Sequence, residues 1–233
     1  MTIFYTVLFS LKKPEENLYF YMMMMLYKSL VRTESMQQGD KFFVVADPIT
    51  IAYGRKFHSL KNVNWVEAPP VLSVKDGMLY KYIFRPKVDA PVVYLDCDFL
   101  AIKKVAFDLK EDTLAVLPEG RPDDSNYCGD GTLALKFGAS AGIFAFRYGP
   151  RTRALLDDIA KRTMACEKKF YTLDQPHFNK ALEGKECVVA INPQIVSFNG
   201  NGNNAVAHLI NCAGEPGNGE FHFQKMMDFM TML

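Results

Sequence analysis

The sequence carries no excess of either charge: 27 Lys and Arg stand against 26 Asp and Glu, a net charge of +1. Without a basic surplus or an acidic tail, nothing in the charge points to nucleic acid or to an anionic membrane surface as a partner. C-x-x-C pairs are also missing. The five cysteines, Cys97, Cys128, Cys166, Cys187 and Cys212, are odd in number and scattered, so neither a zinc knuckle nor a disulfide framework is indicated. They read as reduced thiols of a cytoplasmic protein. The apolar run Leu18 to Tyr27 is shorter than the roughly twenty residues that a membrane-spanning helix needs. Its flank of Lys12, Lys13, Glu15 and Glu16 is wrong for a secretory signal. With no internal repeat and no linker, residues 1–233 are expected to form a single domain.

What is present suits a packed core. Hydrophobic residues make up 49% of the chain and charged residues 23%, enough to fold without disulfides or metals. Ile3 to Ser10 predicts a strand. Glu15 to Arg32 predicts a helix, with Pro14 near its start, acids in the first turn, and Lys28 and Arg32 in the last. Its Met22 to Met25 block reads as flexible core filler. Lys41 to Ala46 and Asn64 to Ala68 predict two more strands, and Asp76 to Phe84 a helix stopped at Arg85-Pro86. Pro91 to Leu95, apolar throughout, is expected to be a strand buried on both faces. Thr113 to Leu117, Ala141 to Phe146 and Cys187 to Ile191 follow as strands. Pro150 to Lys169, Asp174 to Leu182 and Phe221 to Leu233 follow as helices, with Gly/Asn loops at 199–204 and 215–219. This alternation predicts an α/β sandwich around a mostly parallel sheet.

The stretch that carries chemistry is Val92-Val93-Tyr94-Leu95-Asp96-Cys97-Asp98-Phe99-Leu100. A buried strand delivers two carboxylates to the carboxyl end of a parallel sheet, the edge where ligands of open α/β sheets bind. Two acids this close repel each other unless a cation sits between them. Hard oxygen ligands favour Mg2+ or Mn2+, with diphosphate oxygens completing the coordination. The alternative is that the acids cap a loop or pair with Lys103 and Lys104.

The segment KYIFRPKVDAPVVYLDCDFLAIKK resembles the metal-binding segment of GT-A glycosyltransferases, in particular the glycogenin-like enzymes. Three further blocks resemble that family in the expected order: Ala139 to Phe146, a small-residue strand beside the donor sugar; Thr172 to Phe178, with a D-Q opening a helix; and Val206 to Ile210, a late strand bearing a histidine. The resemblance implies a GT-A fold and a glycosyltransferase that moves a hexosyl or deoxyhexosyl unit from a nucleotide sugar, a UDP-sugar at the family level, to a hydroxyl acceptor. It implies that Asp96, Asp98 and His208 bind Mn2+ or Mg2+. Thr6, Leu8, Lys81, Asp96, Cys97, Gly142 and Gln175 would contact the donor. Asp174 would be catalytic: the general base of an inverting reaction, or a group holding sugar hydroxyls in a retaining one. The residue-level alternatives are a helix-capping role for Asp174, a solvated lysine at 81 and a strand-end histidine at 208. His177 and His222 compete with His208 as ligands. The lysine of the family's K-P-W after the late histidine is missing here, where Asn211-Cys212-Ala213-Gly214 follows. Backbone N–H groups of that loop would then serve the diphosphate. Nor is there the long stem or anchor of the Golgi members, so a compact soluble transferase of the bacterial or viral kind is expected.

Two other enzyme classes share parts of this pattern. A haloacid-dehalogenase-like phosphatase also ends a strand in D-x-D, but it carries the motif near the N-terminus and needs a downstream lysine and acidic pair, whereas Asp157-Asp158 fall in a predicted helix. A nucleotidyltransferase would show a Gly-rich basic loop where Ser10 to Pro14 stands. A non-catalytic nucleotide-sugar-binding protein is the alternative outside the enzymes.

Overall fold

A computed structural model of the chain describes residues 1–9, 13–86, 88–118, 138–165, 174–198, 205–208, 224, 227–228 and 231. The fold is mixed α/β, with seven strands in a mostly parallel main sheet. Packing divides the chain into two compact units. The first holds Met1–Pro70, Leu95–Phe107 and Gln194–Leu233; the second holds Val71–Tyr94 and Asp108–Pro193.

In the first unit, β1 (Ile3–Leu8), β2 (Lys41–Ala46) and β3 (Val63–Glu67) lie parallel in the order β3-β2-β1. Ile3 pairs with Lys41 and Leu8 with Ala46. Helices α1 (Leu18–Arg32) and α2 (Pro48–Gly54) make the two crossovers. The helix expected from Glu15 starts later: Pro14–Glu16 forms a 3-10 turn, and the Asn17 side chain caps α1 by accepting from Tyr19 N at 3.1 Å. Met22, Met23 and Met25 are buried, as core filler should be. Helix α2, directly after β2, is not among the elements that the sequence pattern predicts. There the Asp47 carboxylate accepts from Ile49 N and Thr50 N at 2.9 and 3.0 Å, with Pro at the first helical position, an acid cap followed by a pre-shaped proline. Among the described residues no helix is long and apolar enough to cross a membrane.

A second, three-stranded sheet of the first unit has the order β5-β10-β9, with β5 at Phe99–Ala101, β9 at Val196–Phe198 and β10 at Val206–His208. Strand β10 runs antiparallel to β5 and parallel to β9. Buried Ser29 of α1 ties this sheet down: its Oγ donates to Leu26 O at 2.8 Å and accepts from Ala101 N at 3.0 Å.

The second unit contains β4 (Val92–Leu95, but for its last residue), β6 (Leu114–Pro118), β7 (Ala139–Phe146) and β8 (Val188–Ala190), ordered β4-β7-β6-β8. Strands β4 and β7 are buried along their whole length. Helix α3 spans Val74–Ile83, starting earlier than expected because Ser73 Oγ accepts from Asp76 N as its cap. Helix α4 spans Pro150–Ala165, the remainder of its expected length lying outside the described residues, and α5 spans Gln175–Leu182. Asp112 caps α4 from a distance in sequence: its oxygens accept from Thr152 N at 2.8 Å and from Arg151 N and Nε at 3.2 and 3.0 Å. Gly149 makes the approach possible, because a Cβ there would stand 2.2 Å from Asp112 Cγ. The loops at 199–204 and 215–219 lie outside the described residues, as do Cys128, Cys166, Cys212 and most of the segment expected as a C-terminal helix. Cys97 and Cys187 are buried free thiols.

Candidate functional site

The two acids sit where the main sheet hands the chain to the small one. Beyond β4, Asp96 O accepts from Phe99 N at 3.2 Å, closing a tight turn over Asp96-Cys97-Asp98. Asp96 is half-buried and Asp98 buried. The residue between them anchors the turn. Cys97 Sγ lies 3.3 Å from Thr6 Oγ1 and donates to Val7 O at 3.5 Å. The turn is therefore fastened to the carboxyl-terminal half of β1, which brings Thr6 and Cys97 together. Thr6 and Leu8 are both buried, while Val7 between them is partly exposed.

The small sheet brings the late histidine to the same place in backbone terms. His208 pairs with Phe99 in the antiparallel ladder, so Asp98, one residue before Phe99, and His208 close the same end of the β5–β10 pair. Among the described side chains, which do not include that of His208, no group of three His, Cys, Asp or Glu is gathered as a ready metal site. Carboxylate and imidazole, the side chains that Asp96, Asp98 and His208 carry, are donor types that Mn2+ accepts.

The second unit carries the other predicted residues. Asp174 occupies the N-cap position of α5, yet its side chain makes no capping hydrogen bond. Its Oδ2 instead accepts from Tyr82 OH at 2.6 Å and pairs with Lys81 Nζ at 3.1 Å. The solvated-lysine alternative for Lys81 therefore fails, since the residue is only 3% exposed. Its ammonium also lies 5.4 Å from the centre of the Tyr94 ring. Tyr82 is held by stacking on Phe144 and Phe178, with ring centroids 5.7 and 6.0 Å away. A buried ion pair of this kind is stable only when further hydrogen bonds and packing complete it, which Tyr82 and Tyr94 do here.

Gln175 and Gly142 meet at a break in the ladder. Val116 pairs with Phe144 but Leu117 with Ser140, so Ala141, Gly142 and Ile143 bulge from β7. Gln175 Oε1 accepts from Ala141 N at 3.0 Å, which leaves the amide nitrogen as that side chain's group for a ligand. Buried Asn179 completes the seam: Oδ1 accepts from Ala139 N at 2.7 Å, and Nδ2 donates to Ala139 O at 2.8 Å and to Gln175 O at 3.0 Å. His177 is half-buried on α5, and its Nε2 has no hydrogen bond among the described residues. Burial lowers its pKa, nearby Asp174 opposes this, and Arg162 adds to the lowering. His222 lies outside the described residues.

No family model and no curated protein matches the sequence. Solved structures do match. Mouse xyloside xylosyltransferase 1, in its apo form, superposes with a TM-score of 0.61 at 10% identity, over 90% of this chain and 97% of that one. The chain has a GT-A-like glycosyltransferase fold. The apo form of glycosyltransferase GlyE from Streptococcus pneumoniae TIGR4 is similar to the same degree, TM-score 0.61 and 12% identity, over 99% of this chain and 62% of that one.

The acidic pair weighed for a phosphatase lies on α4. Asp157 and Asp158 form surface pairs with Arg85 at 2.7 Å and Arg162 at 2.9 Å. Sequence reasoning missed Tyr82 and Asn179. Tyr82 stands next to Lys81 in the chain and Asn179 one helical turn beyond Gln175, but an aromatic and an amide on helices carry no pattern that distinguishes them from ordinary packing and surface residues.

Proposed function

We propose that this chain, acting as a single GT-A domain, is a metal-dependent glycosyltransferase that moves a hexosyl or deoxyhexosyl unit from a UDP-sugar to a hydroxyl acceptor. The observation that carries the reading is the Asp96-Cys97-Asp98 turn, fastened to β1 through Thr6 and aligned with the end of β10 in a GT-A-like fold. Asp98 and His208 would hold Mn2+ or Mg2+, with Asp96 serving the metal and the ribose hydroxyls. Such an ion, when bound, supplies positive charge for the diphosphate as the bond to the sugar breaks. Thr6 and Leu8, and Cys97 through its backbone, are assigned to the base and ribose, and Gly142 and the Gln175 amide to the donor sugar.

Asp174 is assigned to the acceptor. Lys81 and Tyr82 both contact Oδ2, which leaves Oδ1 as the oxygen to take the acceptor hydroxyl proton in an inverting transfer. Lys81 then acts by fixing Asp174 rather than by touching the donor. Cytoplasmic residence belongs to the same reading and rests on the scattered cysteines, two of them buried free thiols.

The test is thermal unfolding with and without Mn2+ and UDP-sugars, paired with donor hydrolysis. The proposal expects a metal-dependent rise in Tm that Asp98→Asn abolishes, together with slow release of UDP. A shift that survives chelation, or binding with no turnover on any donor, would overturn it, the second outcome in favour of a non-catalytic nucleotide-sugar-binding protein.

A further inference from the structure

Positive charge is unevenly placed in this near-neutral chain. No Asp or Glu occurs from Pro48 to Val66, whereas Arg55, Lys56, His58 and Lys61 do. All four are exposed, and none forms an ion pair among the described residues. Three of them, Arg55, His58 and Lys61, line a cavity of about 390 Å3 at the edge strand β3, whose walls include Phe57 and Trp65.

The aromatic wall is rigid. The Phe57 ring packs on Phe20 at 5.4 Å and Tyr53 at 5.2 Å between centroids. Tyr53 is in turn fixed by a 3.1 Å hydroxyl contact with Tyr21. The Trp65 ring lies against Gly54 so closely that a Cβ there would stand 2.4 Å from it. Neither ring has to be ordered when a ligand arrives, which lowers the cost of binding.

We propose that this cleft binds an acidic saccharide, distinct from the donor, whose pyranose C–H face covers Trp65 or Phe57 while its sulfate or carboxylate groups meet Arg55 and Lys61. The volume fits a site for one or two sugar rings, within the roughly 300–1,000 Å3 of ordinary ligand pockets. Guanidinium and ammonium groups recognise oxyanions by charge-assisted hydrogen bonds. Three basic side chains at the cleft are few for a nucleic acid, whose affinity comes from neutralising many backbone phosphates. The assignment does not depend on the transfer reaction, because binding here requires neither metal nor donor.

Trp65 is the sole tryptophan of the chain, so intrinsic fluorescence reports on this cleft. The full chain is titrated, without metal or nucleotide sugar, with a sulfated heparin hexasaccharide, neutral maltohexaose, a thymidine hexanucleotide and inorganic sulfate. The expected result is a fluorescence change with the sulfated hexasaccharide alone that weakens with added salt. In the double variant Arg55→Gln/Lys61→Gln, affinity falls about tenfold, equivalent to the loss of two modest charged contacts, with Tm unchanged. Equal responses to sulfate or to the oligonucleotide would overturn the proposal, as would no response to the hexasaccharide or undiminished affinity in the double variant.

Discussion

Lys81 and Asp174, which belong to different helices and lie far apart in the sequence, form a buried ion pair of 3.1 Å with side chains 4% and 7% exposed. The pair turns a helix-start acid into a group held from α3, and it links the positioning of Asp174 to a buried lysine.

Truncating one member should be costly. Lys81→Met leaves a buried carboxylate without its counter-charge, and the expected loss is about 3–5 kcal/mol. Urea unfolding measures it. Adding Asp174→Asn should restore part of that stability, since the double variant has no unpaired charge, while leaving transfer activity abolished. Recovery of activity in the double variant would show that Asp174 is not needed for catalysis.

The metal donors should separate by ligand type. Asp98→Asn is expected to weaken Mn2+ and Mg2+ alike, because both prefer carboxylate oxygen. His208→Ala should weaken Mn2+ more than Mg2+, since imidazole suits transition metals. Metal titrations of the UDP-bound protein read both effects, and equal losses for the two ions in His208→Ala would remove that residue from the ligand set.

Acid should erode the cap of α4. Burial pushes the Asp112 carboxyl upward, but hydrogen bonds from Thr152 and Arg151 outweigh it, and its pKa falls below the ordinary 3.8. A depressed folded-state pKa stabilises the fold above the unfolded value, and that contribution is lost as pH falls through the folded value. The difference in Tm between the wild type and Asp112→Asn should therefore be largest near neutrality and shrink below about pH 4. The neutral-pH cost is about 1 kcal/mol at most, because Asn caps nearly as well as Asp and what is lost is the pair with the exposed Arg151. Asn suits the left-handed backbone at this position, where φ is +52°, and its one amide oxygen can keep the bond from Thr152 N while those from Arg151 to the second oxygen are lost. A difference constant from pH 7 to pH 3 would contradict the assignment.

Asn179 should prove structural at first reading and functional at second. Asn179→Ala leaves Ala139 N and Ala139 O without the partners they have now, at about 1–3 kcal/mol for a buried group left unsatisfied. Asn179→Asp should cost more, because a carboxylate cannot donate to Ala139 O. Donor affinity should fall in both variants, through the bulge at Gly142 that the seam supports; unchanged affinity would detach the bulge from the donor site.

The sequence alone determined the parts that depend on local pattern: the buried apolar strand before Asp96, the paired acids at its end, and the β1 and β2 runs, whose side chains are almost all apolar because both faces are covered. Runs of this kind bury themselves wherever they fall in the chain, so alternation and composition reveal them. Three-residue strands such as β5 and β10 are too short to show a period. Only their pairing, Phe99 with His208, decided that the late histidine closes the same sheet end as Asp98. Tertiary structure likewise decided the fate of Asp174: its position predicts a cap, but a buried ammonium and phenol from α3 compete for the carboxylate and win. A residue's local setting is written in its neighbours along the chain, whereas a buried charge takes its partner from whatever helix packing brings within 3 Å or so.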